Sequence, residues 1–320
     1  MDKIRVGVVG VGALGQHHAR VYASMPNVNL VGVADTKPGR AEEIAGPLGT
    51  EAYADHRELF GRVDAVSIAV PTTLHADIGT QFLEEGAHVL VEKPVSNTLE
   101  GADKLIRAAE KSGRILQVGH LERFNPAVKA LREIVGDPRF FEAHRMGIFS
   151  PRSLDIDVIL DLMIHDLDII SLLVPFPPAQ ISAVGIAILS RRIDIANARI
   201  TFTNGCVANV TASRVSMEKI RKLRFFQKQE YISLDYGRQE VAIFGLQPPS
   251  SPAGMPELFG RKLTPPKKEP LDEELKSFLN SIQSGSPVEC SGTEAKNALA
   301  LALQILAQAE HAQAMEFDRH

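Results

Sequence analysis

Six residues near the start of the chain restrict its fold more than any other stretch. The apolar run Ile4 to Val9 leads into Gly10-Val11-Gly12-Ala13-Leu14-Gly15, and Asp35 follows Gly15 by 20 positions. Ile4 to Val9 reads as a buried parallel strand. Ala13 to Ser24 reads as a helix stopped by Met25-Pro26, and Val28 to Ala34 as a second strand with Asp35 at its end. Strand, glycine turn, helix, strand and acid in this order form the setting in which a dinucleotide lies along a helix N-terminus. Gly10 permits the tight turn, Gly12 lets the backbone approach a pyrophosphate, and Gly15 lets the helix pack close to the strand. The helix start adds free N–H groups and partial positive charge. Asp35 can accept from both ribose hydroxyls and would repel a 2′-phosphate, which favours NAD over NADP. Lys37 and Arg40 pull the other way. An accidental glycine-rich turn is the plain alternative, and the register of all five parts argues against it.

The alternation continues. A helix over 39 to 48, a short strand at Ala52-Tyr53, a strand over Asp64 to Val70, a helix from Leu74 to Glu84, a strand at His88 to Val91, a helix from Leu99 to Lys111 and a strand at Ile115 to Gly119 follow in turn. Near-continuous apolar strands alternating with helices predict an N-terminal Rossmann doubly wound parallel sheet over residues 1–121. Ligands of such sheets bind beyond the carboxyl ends of the strands, which selects the glycine loop, Asp35, Pro71-Thr72-Thr73, Glu92-Lys93-Pro94 and His120. Beyond about residue 140 the pattern changes to a helix, Ile156 to Leu173, then serial strands between Gln180 and Phe244. Asn204-Gly205 is a hairpin turn signal. Residues 122–320 therefore read as a second, α+β domain with an open, mainly antiparallel sheet. Gln247 to Pro270, with seven prolines, reads as a surface loop or an arm.

Composition narrows the function. The net charge of −4 offers no general attraction for nucleic acid or anionic membrane, and no apolar run has the length of a span. Cys206 and Cys290 are the only cysteines, with no metal spacing and no disulfide framework, so a cytoplasmic chain holding no metal is expected. The basic cluster Lys219 to Lys228 could hold a nucleic acid strand, but reads better as a sheet strand with one wet face.

Two groups of residues carry candidate chemistry. Lys93 lies one residue past the end of a buried strand and before a proline that fixes the backbone. There it can hydrogen-bond a substrate hydroxyl. The helix around Asp161-Leu162-Met163-Ile164-His165 is apolar nearly all round, yet Asp157, Asp161, His165 and Asp168 recur at helical spacing. Buried acids need partners, so either this edge meets solvent or the stripe is functional. In the second case His165 takes a hydroxyl proton as hydride leaves the same carbon, and Asp161 orients the imidazole or the substrate. The chemistry would then fall in the cleft between the two domains.

The glycine fingerprint, Glu92-Lys93-Pro94 and Asp161-xxx-His165-Asp166 together resemble the Gfo/Idh/MocA family of sugar oxidoreductases. The resemblance covers essentially the whole chain. It implies active-site roles for Lys93, Asp161 and His165 beside the nicotinamide, and a homo-oligomer, dimer or tetramer, formed through the C-terminal sheet. Leu154-Asp155-Ile156-Asp157 stands where many members carry Gly-Gly. The stretches Gln117 to Pro126, Asp161 to Asp166 and Gly205 to Arg214 resemble a branch that oxidises the 3-hydroxyl of a UDP-linked N-acetyl sugar, whose ketone an aminotransferase then uses for lipid A. Other nucleotide sugars, a free sugar or an inositol remain open as substrates, as does a non-enzymatic redox sensor. A nucleotide sugar needs cations for its pyrophosphate, and Arg123, Arg145, Arg152 and Arg214 are candidates; each could equally sit in a salt bridge. His120 and Asn125 are expected on sugar or nicotinamide, with His120 alternatively capping or packing. Pro71, Thr72, His75, Glu92, Pro94 and Gln117 are assigned to the cofactor with Ala13 and Leu14, Thr72 or Thr73 alternatively capping the following helix.

Overall fold

The computed structural model describes residues 3–149, 156–247 and 255–317. They form two compact units, residues 1–121 with 269–299, and residues 122–268 with 300–320.

In the first unit the strands β1 (Ile4–Val9), β2 (Val28–Ala34), β3 (Glu51–Tyr53), β4 (Ala65–Ile68), β5 (His88–Glu92) and β6 (Leu116–Gly119) make one sheet of order β3-β2-β1-β4-β5-β6. Every neighbouring pair is parallel. Helices α1 (Gly15–Ser24), α2 (Arg40–Leu48), α3 (His75–Glu84) and α4 (Leu99–Ser112) are the crossovers. The order reverses direction at β1 and β4, the switch point at which such sheets open a ligand crevice. β4 is buried along its whole length and β1 at every position but Arg5, which is why both read in the sequence as mainly apolar runs.

Residues 122–320 were expected to form one domain, but residues 269–299 return to the first unit. Helix α7 (Pro270–Ser284) places Leu275, Phe278 and Leu279 in the core that also holds Val6, Val8, Val21 and Tyr22. The amphipathic face of α7 covers α1, and nothing in a linear reading marks that return.

The second unit begins with α5 (Pro126–Arg132) and β7 (Phe140–Met146). Helix α6 (Ile164–Leu173) follows a π-helical turn over Ile159–Met163. The strands β8 (Pro178–Ile186), β9 (Ile195–Phe202), β10 (Val207–Ser213), β11 (Ile220–Gln227), β12 (Glu230–Asp235), β13 (Glu240–Gln247) and β14 (Glu257–Leu263) complete a sheet of order β14-β13-β12-β11-β7-β10-β9-β8. All pairs are antiparallel except β7 with β10. Helix α8 (Gly292–Phe317) closes the chain.

Two strands depart from the sequence reading. β7 alternates buried and half-buried residues perfectly, but Arg145 occupies a buried position and disguises the pattern. The proline-rich segment is not loop throughout: Glu257–Leu263 pairs with β13 as the sheet edge, where flanking prolines cost no ladder bonds. The basic cluster is β11, with Leu223 and Phe225 buried and Lys222, Arg224 and Phe226 on the opposite, exposed face. Glu142 pairs with Arg224 at 2.8 Å, as the wet-face reading expects. No helix among the described residues is long and apolar enough to cross a membrane.

Candidate active site

In the first unit the glycine loop has the geometry its composition requires. Gly10 has φ +81°, and a Cβ there would lie 2.8 Å from the Ala69 carbonyl oxygen. A Cβ on Gly15 would lie 1.8 Å from the Gly10 oxygen, so the first turn of α1 can sit this close only as glycine. Gly12, Ala13 and Leu14 are exposed, and no atom lies within 4 Å of a Cβ built on Gly12. No side chain caps α1, and its first turn carries no acid. The positive end of the helix is thus open to an anion.

Asp35 closes the loop from below. Its Oδ2 accepts from Val11 N–H at 2.9 Å and its Oδ1 from Lys37 N–H at 2.9 Å. Arg40, which sequence left as a possible 2′-phosphate ligand, donates Nε to the Val11 carbonyl at 2.8 Å and pairs with Glu43 at 2.8 Å. It straps the loop. Gly10, Gly12, Asp35, Pro71 and Leu74 line one cleft of about 160 Å³. Ala54, His56 and Ile78 line it as well; sequence did not single them out, although Ala54 and His56 follow the carboxyl end of β3. Replacing Gly12 by alanine should leave thermal stability within about 0.5 kcal/mol, since the methyl meets no protein atom, and weaken NAD binding about tenfold or more by blocking the pyrophosphate approach. Calorimetric titration with NAD beside a melting curve checks both.

Beyond β5 the assignments divide. Lys93 is half-buried, followed by a cis peptide to Pro94. Glu92 does not face outward: it is buried, its Oε1 lies 3.0 Å from His18 Nε2 and its Oε2 accepts from Lys93 N–H at 3.3 Å. Burial pushes its pKa up, but His18 and Lys93 outweigh that and hold it low. His75 is buried too, with Nδ1 2.9 Å from the Pro94 oxygen and Nε2 2.9 Å from the Val70 oxygen. Burial depresses its pKa, against the two carbonyls, which favour the protonated ring. Gln117 is fully buried and gives its amide to the Glu274 carbonyl at 3.3 Å. Glu92 and His75 thus bond within the segment carrying Lys93, and Gln117 ties β6 to α7; all three are buried where sequence expected them to meet the cofactor. The expected Thr72 or Thr73 cap is absent; Thr72 opens a short 3₁₀ turn, and no side chain caps α3. His120 is buried just past β6.

In the second unit the acidic stripe breaks into two kinds of residue. Asp157 is buried and accepts from Ile193 N–H at 2.9 Å. Asp168 is buried and takes both Nε and Nη2 of Arg123, at 2.9 and 2.6 Å. Asp161 and His165 alone of the four are partly exposed. The π-helical turn lies on Asp161 and ends just before the α-helical segment that carries His165. Such single wide turns occur frequently at functional sites.

The arginines do not stand as the phosphate ligands that sequence offered. Arg145 gives Nε to Asp166 at 2.6 Å and Nη1 to Glu122 at 2.9 Å, and its guanidinium stands 4.9 Å over the Tyr236 ring. Arg214 gives Nε to Asp194 at 2.8 Å and Nη1 to the Ile156 carbonyl at 2.8 Å. Arg123, Arg145 and Arg214 are each at most 5% exposed and hold buried carboxylates. Burial raises the Asp194 pKa, but Ser190, Arg214 and the backbone N–H groups of Ile188 and Ser190 prevail and keep it ionised. Asn125 is a helix cap, its Oδ1 accepting from Ala127 N–H at 3.1 Å while Nδ2 donates to the Tyr236 carbonyl at 3.0 Å. Arg152 lies outside the described residues.

A parallel sheet of this order with an open glycine loop and an acid at its second strand defines an NAD-binding Rossmann protein. The comparisons agree. The profile of the oxidoreductase family with an NAD-binding Rossmann fold (GFO_IDH_MocA) matches residues 4–120. The UDP-N-acetylglucosamine 3-dehydrogenase of Acidithiobacillus ferrooxidans is 40% identical over 95% of this chain and 97% of its own. Its solved structure superposes with TM-score 0.89, covering 97% of this chain and 99% of that one, at 39% identity. Inositol 2-dehydrogenase of Rhizobium meliloti is 28% identical over 93% of this chain and 94% of its own. A levoglucosan dehydrogenase solved with NADH and levoglucosan shares the fold, with TM-score 0.84 at 21% identity over 97% of this chain and 98% of that one. The chain belongs to the Gfo/Idh/MocA family of NAD-binding oxidoreductases.

Proposed function

We propose that this protein oxidises the 3-hydroxyl of UDP-N-acetylglucosamine with NAD, giving the 3-keto sugar. The observation that carries the reading is the 40% identity, sustained over 95% of the chain, to a dehydrogenase of that name. NAD, held by the glycine loop and Asp35, supplies the hydride acceptor. Lys93 donates a hydrogen bond to the hydroxyl oxygen and stabilises negative charge as it develops there. His165 accepts the hydroxyl proton, and Asp161 fixes the imidazole or the sugar. The balance is one C–H hydride to the nicotinamide, one O–H proton to the protein and one new carbonyl. Glu92 and His75 support this by holding the Lys93 segment still.

The test is purified protein with NAD and UDP-N-acetylglucosamine, followed by reduced-cofactor absorbance and ketone trapping, with an aminotransferase added to draw off product. Neither reduced cofactor nor ketone would overturn the substrate. Reduction with myo-inositol in its place would move the protein to its inositol-dehydrogenase relatives.

The same reading extends to assembly. The outer face of the eight-stranded sheet bears an aromatic row, Phe140, Phe226, Tyr231 and Phe244, with successive ring centroids 5.9, 5.2 and 6.2 Å apart. Val184, Ile186 and Leu246 add exposed apolar surface. Faces of this kind mark contact surfaces, and a second copy of the chain is the proposed occupant. Sedimentation should show a dimer or tetramer that Phe244→Asp dissociates; a monomeric wild type refutes it.

A further inference from the structure

We propose that Arg221 binds a phosphate group of the substrate, making the inner face of β11 beside Arg145 an anion subsite of the second unit. The inference deepens the nucleotide-sugar reading and rests on it for the identity of the phosphate.

The argument begins with register. Arg221 on β11 stands opposite Arg145 on β7, and directly opposed residues project to the same face with Cβ atoms about 4.5–5.5 Å apart. That face is the buried one, shared with Leu223 and Phe225. The two arginines then differ in every other respect. Arg145 is enclosed and its fork is consumed by Asp166 and Glu122. Arg221 reaches solvent, and among the described residues its side chain makes no hydrogen bond or ion pair. Only its backbone is engaged, the carbonyl accepting from Tyr236 N–H at 3.1 Å.

An unpaired guanidinium leaning on a second guanidinium is unfavourable unless an anion shares it. Partial burial and the Arg145 charge both lower the Arg221 pKa, and Glu122 and Asp166 offset them only in part. The side chain nevertheless remains protonated at neutral pH, since guanidinium titrates far above it. A planar fork that bonds no described residue, at the rim of a buried ion cluster, fits a tetrahedral phosphate, which can take two parallel N–H···O bonds. Arg145 cannot do this work, because it is buried and its bonds to Asp166 and Glu122 hold it inward.

The position suits the reaction. Asp166, the carboxylate that grips Arg145, directly follows His165 in the chain. Arg221 is therefore one cross-strand step from a side chain that grips the residue next to the candidate base in the helix. A substrate with its hydroxyl at His165 can extend its phosphate toward Arg221. Sequence hid this residue because Arg221 lies inside a run of five cations, and only the strand register separates it from Lys222 and Arg224 on the outer face.

The test compares the full-length protein with Arg221→Ala, Arg221→Lys and, as an outer-face control, Arg224→Ala. Calorimetric titrations use UDP, UMP, N-acetylglucosamine 1-phosphate and inorganic diphosphate. Arg221→Ala should weaken UDP about 10- to 100-fold, the worth of a charged hydrogen bond or two. KM for UDP-N-acetylglucosamine should rise by the same factor with kcat nearly unchanged. Arg221→Lys should recover part of the loss, and Arg224→Ala should match wild type. A loss seen with N-acetylglucosamine 1-phosphate assigns the contact to the sugar-side phosphate; a loss with UMP assigns it to the nucleoside side. UDP binding within twofold of wild type in Arg221→Ala overturns the inference, as does a wild type that binds none of the four probes. Arg221-dependent binding of UDP or diphosphate by a protein that leaves UDP-N-acetylglucosamine unoxidised would overturn the substrate and leave the subsite standing.

Discussion

Replacing Lys93 by methionine should lower kcat about 10²- to 10⁴-fold, the range that a positioned proton-transfer or charge-stabilising group supplies. Methionine keeps the length and apolar body of the chain and removes the ammonium. Lys93 is half-buried, and its backbone N–H, which meets Glu92, survives the change. NAD affinity should therefore move by no more than about threefold, because the glycine loop and Asp35 are untouched. His165→Asn should behave alike. If both variants turn over at the wild-type rate, the assigned roles fail. If NAD affinity collapses along with turnover, Lys93 serves binding and not chemistry.

Arg145→Leu should be the most damaging single change to the second unit. It leaves Glu122 and Asp166 buried without the cation that bonds both, and breaking one partner of such a buried pair costs about 3–5 kcal/mol. Chemical denaturation followed by circular dichroism reads the loss as an early transition, since two units need not unfold together. Adding Glu122→Gln and Asp166→Asn should restore most of the stability, because the uncompensated charges disappear. No recovery in the triple variant would place the cost in lost packing against Tyr236. The contrast with Arg221, whose replacement should affect ligand and not fold, separates the two neighbours by experiment.

Those two arginines also show where a sequence can and cannot be read. β1 and β2 are legible to the residue because both are mainly apolar and fully buried over their last three residues, and Gly10 and Asp35 punctuate the ends. The glycine loop is legible because each glycine answers a local steric demand. Asp161 and His165 stand out by spacing, and the structure keeps them partly exposed while burying Asp157 and Asp168. Partnership is another matter. Whether Arg123 meets a phosphate or Asp168, 45 residues away, is a long-range fact with no local trace. The same holds for Glu92 and His18, 74 residues apart. Buried charge also blinds pattern reading, as Arg145 did for β7.

The return of α7 to the first unit sets an order of events at the ribosome. The sheet and its glycine loop are encoded in the first 119 residues, but Leu275, Phe278 and Leu279 complete the core beneath them. Until residue 284 has left the exit tunnel, α1 has an uncovered apolar flank, and the cofactor-binding half of the protein waits on a helix made after nearly the whole of the other half. A gene cut after residue 121 would give a sticky fragment, whereas one that splices 269–299 back on by a short linker has the pieces of a self-sufficient NAD-binding body.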